Sequence, residues 1–181
     1  DSLSVLLAVP LTPGLRVIDV GTGAGFPGLP LRLLCPFIEL TLLEATAKKT
    51  AFLEHIVSRL KLNNVRILTA RAEEAGQDAA TREKFDLVLA RAVAQMPVLA
   101  EYLLPLCRVG GRCIAMKGET AVVEAQQAEN ALRILGGHVE KIIPVELPQV
   151  PDTHYLVVIQ KVAATPEPYP RRPGIPAKRP L

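Results

Sequence analysis

Apolar and polar positions change rhythm along the chain in a regular way. Between Leu15 and Lys117, short aliphatic and β-branched runs alternate with longer stretches of helical spacing, the pattern of repeated βαβ units around a parallel sheet. LRVIDV, IELTLLE, VRILTA, FDLVLARA and RCIAMKG read as five buried strands, because their apolar residues run on without strict alternation. Thr46 is placed to cap a helix reaching about Leu60, with Ala51, Phe52, Ile56, Val57 and Leu60 on one face and Lys48, Lys49 and Arg59 outside. Asn63 and Asn64 end it. A further helical run extends from beyond Lys117 to about Leu135, where Gly136 and Gly137 close it.

After these glycines the rhythm breaks, since VEKIIPVEL and HYLVVIQKV are two strand candidates with no helix between them. This finish predicts an antiparallel, hairpin-like edge to the sheet. From Lys161 onward six of 21 residues are proline, which favours extended polyproline conformations over any core element. The predicted organisation is a single domain over residues 1–162 followed by a basic, proline-rich tail over residues 163–181. At the other end, LSVLLAVPL reads as the end of a helix, being too short and too poor in flanking cations for a signal peptide.

Composition narrows the class. A length of 181 residues suits one core, and no apolar run approaches the roughly 18 residues that would cross a bilayer. The expectation is a soluble, cytoplasmic protein with no membrane partner. Cys35, Cys107 and Cys113 form no CxxC pair, and His55, His138 and His154 are scattered. Neither a disulfide framework nor a metal site is predicted; Cys107 and Cys113 are expected to serve packing. The positive charge is concentrated at the end, where Lys161, Arg171, Arg172, Lys178 and Arg179 stand against Glu167 alone. Cations among prolines suit sequence-independent phosphate contacts. With only 4% aromatic residues, an extended base-stacking platform is not expected.

The candidate chemistry begins at VIDVGTGAGFPG, where an apolar strand ends in Gly21, Gly23, Gly25 and Gly28. A strand feeding a tight glycine turn and then a helix, with Pro27 in its first turn, makes a nucleotide site at the sheet's C-terminal edge. GAGFPG fits a dinucleotide fingerprint, and DVGTGAG fits the loop of S-adenosylmethionine enzymes. Asp19 discriminates between them: a carboxylate just before the turn is poor for a pyrophosphate and good for the ammonium of S-adenosylmethionine, although it could instead satisfy backbone N–H groups of the turn. Glu44 ends the second strand at the distance where an acidic side chain accepts from ribose hydroxyls. Ala72 and Glu73 follow the third strand, where adenine is commonly bracketed. An NAD-dependent oxidoreductase and a non-catalytic nucleotide-binding module remain as alternatives.

The fourth strand ends FDLVLARAVAQMP. It has neither the [ND]-PP-[YF] motif of exocyclic-amine methylases nor a Pro-Cys nucleophile. A target with a free lone pair, such as guanine N7, needs neither, because its methylation removes no proton. Arg91 and Lys117, at the ends of the fourth and fifth strands, are the positioning candidates; full O6/N7 contact by Arg91 would occupy the attacked atom.

IDVGTGAGFPGLPL, LLEATAKKTAFL, RAEE, ARAVA, MKG and YPRRPGIPAKRPL follow one another as in the bacterial small-subunit ribosomal RNA guanine-N7 methyltransferases, also called glucose-inhibited division protein B, which this chain resembles over nearly its entire length. The resemblance implies a Rossmann-like class I fold of S-adenosylmethionine-dependent methyltransferases: α/β, with a mostly parallel seven-stranded sheet, an antiparallel last strand, and helices on both faces. It implies methylation of N7 of guanine 527, in the 530 loop of 16S rRNA; the expected partner is that RNA or a small-subunit precursor, and the protein is expected to act as a monomer. It places Gly21, Phe26, Ala72, Glu73 and Arg91 at the cofactor, with Glu44, Ala45 and Thr46 beside the ribose; Asp19, Gly23 and Gly25 join them from the reading of the glycine loop. Lys117, Arg171, Arg172, Lys178 and Arg179 are the RNA-binding candidates. Family members carry a helical segment ahead of the Asp-Ser that stands here as Asp1 and Ser2.

Overall fold

A computed structural model describes residues 1–150 and 152–181. Seven strands form one sheet: β1 (Arg16–Val20), β2 (Glu39–Glu44), β3 (Val65–Thr69), β4 (Phe85–Arg91), β5 (Cys107–Lys117), β6 (Gly137–Val145) and β7 (His154–Lys161). Their order is β3-β2-β1-β4-β5-β7-β6. The first five are mutually parallel, and β7 runs antiparallel to both β5 and β6. All seven predicted strands are present, and the two-strand finish is an antiparallel hairpin. β7 lies inside the sheet, while β6 is the edge and carries Pro144, a residue that edge strands tolerate. β5 starts five residues before its predicted Arg112; opposite Phe85 to Leu87 its pairing is interrupted between Cys107 and Arg112, around Gly110 and Gly111.

The helices are α1 (Gly28–Leu34), α2 (Ala47–Arg59), α3 (Ala72–Gln77), α4 (Met96–Leu103), α5 (Ala121–Gln127), α6 (Glu129–Leu135) and α7 (Ile175–Lys178). A 3-10 turn, Ser2–Leu7, packs on α1. Two apolar clusters sandwich the sheet. One joins Ile18, Val88 and Val157 to α4, α5 and α6; the other joins Val17, Leu42 and Leu89 to α1 and α2. The three cysteines are free and buried within them.

Three local expectations are corrected. α2 buries Thr50 and Leu53 and half-buries Ile56 and Val57, whereas Ala51 is exposed and Phe52 and Leu60 each remain 47% exposed. The helix packs on β2 and the edge strand β3, so only a narrow stripe meets the sheet. The single helix after Lys117 is two, separated at Ala128, and Gly136 closes the second in the left-handed region at φ 83°. The segment after residue 162 is not free of the body. Thr165, Pro170 and Pro176 are buried, and Ile175–Lys178 is helical.

Side-chain hydrogen bonds explain why the tail docks. The Arg82 guanidinium donates to the carbonyls of Thr165, Pro166 and Tyr169, and Gln77 donates to those of Glu167 and Pro170. The prolines of the tail have no N–H to offer a strand ladder, and its carbonyls take their donors from the body instead. At the junction, fully buried Lys161 donates to the carbonyls of Leu104 and Leu135 and to Thr165, with Glu83 3.2 Å away.

Candidate active site

Asp19, the glycine turn, Glu44, Ala45, Thr46, Ala72 and Glu73 lie at the C-terminal ends of β1, β2 and β3, whereas Arg91 ends β4. Gly21, Gly23 and Gly25 all have positive φ, at 66°, 59° and 96°, which side chains with a Cβ adopt poorly. Gly21 also meets a close neighbour, since a Cβ there would fall 2.8 Å from Val93.

Asp19 lies buried beneath this turn. Its Oδ2 accepts from the Thr22 hydroxyl at 2.6 Å and from the Gly28 backbone N–H at 2.8 Å. Gly28 opens α1, so the carboxylate already occupies the helix N-terminus, the place a diphosphate would need. The turn-satisfying role that sequence left open therefore belongs to Oδ2. Oδ1 is buried with no hydrogen-bond partner among the described residues. Burial pushes the Asp19 carboxyl up to about 6, against the opposing effects of Thr22, Gly28 and Arg91. An unused buried acceptor fits an ammonium, directly or through water, and disfavours the NAD reading.

Glu44 ties the glycine turn to α2. Its Oε2 accepts from the Gly23 N–H at 3.1 Å and its Oε1 from the Thr46 N–H at 3.0 Å, with the Lys49 ammonium 3.8 Å away. Burial opposes its charge, but these donors prevail and hold the carboxyl below its usual range. Thr46 occupies the N-cap position of α2 without a side-chain cap bond. Gly21, Glu44, Ala45, Ala72, Glu73 and Tyr102 border a hollow of about 150 Å³. Its walls combine acceptors at the β2 and β3 ends with apolar surface, which fits an adenosyl group.

A second hollow, about 530 Å³, opens at the ends of β4 and β5 between Arg91, Lys117, Glu124 and His154. Arg91 donates to Asp1 at 2.8 Å, and its guanidinium carbon sits 5.4 Å from the centroid of the Phe26 ring. Lys117, a positioning and RNA-binding candidate from the sequence, is held by the body of the protein. With its side chain 11% exposed, it donates to the Ala94 carbonyl and to Glu124, each at 2.6 Å. Glu124 also accepts from the Met96 N–H and the Thr120 hydroxyl. Lys117 thereby anchors the loop from Ala92 to Gln95, whose Val93 reaches Gly21.

Arg171, an RNA-binding candidate from the sequence, is likewise engaged by the body of the protein. Its guanidinium is engaged by Glu101 at 2.6 to 3.2 Å, and Glu101 is fully buried. Arg172, Lys178 and Arg179 are exposed, with no carboxylate partner among the described residues. Sequence reasoning did not single out Thr22, Val93, Glu101, Tyr102 or Glu124. Glu101 and Glu124 left a usable signal, a lone carboxylate in an apolar helix that needs a buried partner. The larger hollows, about 600 Å³ beside α6 and 590 Å³ beside Arg16, do not touch the glycine turn.

Sheet order, antiparallel β7 and the carboxylate-capped glycine turn together define a class I S-adenosylmethionine-dependent methyltransferase. The same fold occurs in an S-adenosylmethionine-dependent O-methyltransferase from Thermotoga maritima, with a TM-score of 0.66 and 18% identity over 92% of this chain and 66% of that one. The chain belongs to the rRNA small subunit methyltransferase G family, whose pattern matches residues 1–150. Among its relatives, the ribosomal RNA small subunit methyltransferase G of Pelotomaculum thermopropionicum is 52% identical over all of this chain and 76% of its own length. The protein of that name from Roseiflexus castenholzii is 53% identical over the same shares. The fold and family expectations hold, and the cofactor is S-adenosylmethionine.

Proposed function

We propose that this chain methylates N7 of a guanine in small-subunit ribosomal RNA, acting as a monomer in the cytoplasm, with guanine 527 of the 530 loop as the target by family resemblance. The observation that carries the cofactor half of this reading is the Asp19 carboxylate on the Gly28 N–H, which leaves Oδ1 as an acceptor for an ammonium group. Bound S-adenosylmethionine supplies an electrophilic methyl on a sulfonium, which the N7 lone pair can take without loss of a proton. No general base is then demanded of the chain.

The glycine turn and Glu44 hold the nucleoside end, and Ala72 and Glu73 border the adenine. Arg91, in contact with Phe26, lines the second hollow, where a base would approach the methyl group. Lys117 acts by fixing the loop behind Arg91. Arg172, Lys178 and Arg179 supply phosphate contacts along the outer face of the tail.

The test is transfer of labelled methyl to unmethylated small-subunit RNA and to the same RNA carrying 7-deazaguanine. Incorporation into the first and none into the second is expected. Equal incorporation into both would reject N7 as the acceptor.

A further inference from the structure

The C-terminal segment reaches the cofactor hollow from behind. α3 and α4 each line the hollow and also touch the tail. On α3, Ala72 borders the hollow while Glu73 stands in the wall between it and the groove beneath Pro170 to Pro173. Glu73 is 3% exposed; its Oε1 accepts from the Gly174 N–H at 2.9 Å, and Oε2 lies 3.8 Å from Arg71. On α4, Tyr102 borders the hollow while the adjacent Glu101 is fully buried under Arg171. The Arg171 backbone N–H donates to the same carboxylate at 2.7 Å. Further along α3, a Cβ on Gly76 would fall 2.6 Å from the Pro170 ring. The tail therefore packs directly on the helix whose first turn edges the adenosyl hollow.

We infer that residues 165–174 form an intramolecular strap that positions Glu73 and Tyr102 for the adenosyl group, so that strap docking and cofactor binding are energetically coupled. The inference rests on the reading of the hollow as the adenosyl site. Arg171 is then a positioning residue for the cofactor. A planar guanidinium that satisfies both oxygens of a buried carboxylate fixes the orientation of α4, which a single ammonium would not. Coupling between two sites is reciprocal: if a docked strap tightens cofactor binding by some factor, the cofactor tightens the strap by the same factor.

Two measurements on the full chain test this. Calorimetry with S-adenosylhomocysteine compares wild type, Arg171→Ala and Arg171→Lys; amide exchange follows positions 171, 172 and 174 in wild type with and without that ligand, and in ligand-free Arg171→Ala. Arg171→Ala is expected to weaken binding about tenfold, within the usual range of coupling between sites, and Arg171→Lys to recover part of the loss. In wild type the ligand should slow exchange at Arg171 and Gly174. A folded Arg171→Ala protein whose strap amides exchange freely, yet which binds the ligand as wild type does, would overturn the coupling. If that variant does not fold, wild type decides: strap amides indifferent to a ligand that binds would equally reject it. Wild type that binds no S-adenosylhomocysteine would instead remove the adenosyl site itself, and the strap's proposed role with it.

Discussion

Asp19 combines two opposed demands on one carboxyl group. Its Oδ2 holds the turn together, while burial makes its charge costly; with a carboxyl near 6 instead of 3.8, ionisation costs the empty fold about 3 kcal/mol. The sign follows from the raised value: this group's contribution is most favourable below about pH 4 and is lost as pH rises through 6. Asp19→Asn should therefore raise the melting temperature of the ligand-free protein at pH 7.5 and change it little at pH 4. Binding should respond oppositely, because an ammonium needs the ionised form. Affinity for S-adenosylhomocysteine should rise from pH 5 to 7 in wild type and lose that dependence in Asp19→Asn; an unchanged pH profile would dissociate Asp19 from the ligand. Lys117 makes a separate residue-scale case. Lys117→Met removes two charge-assisted hydrogen bonds, at about 2 kcal/mol each, and frees the loop behind Arg91. Methyl transfer should drop at least tenfold while cofactor affinity changes less, as turnover and calorimetry together would reveal.

Among the elements, the glycine turn and α1 depend on close approach as much as on backbone conformation. A Cβ on Gly28 would fall 2.9 Å from both Asp19 Oδ2 and Leu42. Gly28→Ala is expected to cost about 1–3 kcal/mol in denaturant unfolding and to weaken cofactor binding by displacing the carboxylate. The same scale marks how far sequence reading reaches. The parallel strands β1 to β5 were legible as continuous apolar runs, although the edge strand β3 is only partly buried, and β6 and β7 were legible as a hairpin. That β7 sits between β5 and β6 was not, since strand order depends on pairings across the chain. α2's buried stripe was misjudged for a related reason: its apolar residues number more than the edge of the sheet can cover. The turn residues were readable from local spacing, whereas Glu101 with Arg171 and Glu73 with Gly174 meet across 70 and 101 positions. Composition marked the tail as basic and proline-rich without marking its destination.

Across the whole molecule, the cations of the tail divide into two kinds. Arg171 serves the fold: Arg171→Ala would leave Glu101 charged and buried, at about 3–5 kcal/mol, and thermal unfolding should record a large drop. Exposed Arg172 should leave stability within about 0.5 kcal/mol when replaced by alanine. That replacement should nevertheless weaken RNA binding and lower the slope of its salt dependence by about one charge; an unaltered slope would take Arg172 out of the RNA contact. The position of β7 has a consequence in time. During synthesis β5 and β6 emerge with no strand between them, and each keeps an unpaired flank until residues 154–161 arrive. The strap, anchored through Lys161 and Thr165, follows β7. Completion of this sheet must therefore wait for residues 154–161, and a released chain truncated before residue 154 would carry β5 and β6 as two open strand edges, a template for mispairing with other copies.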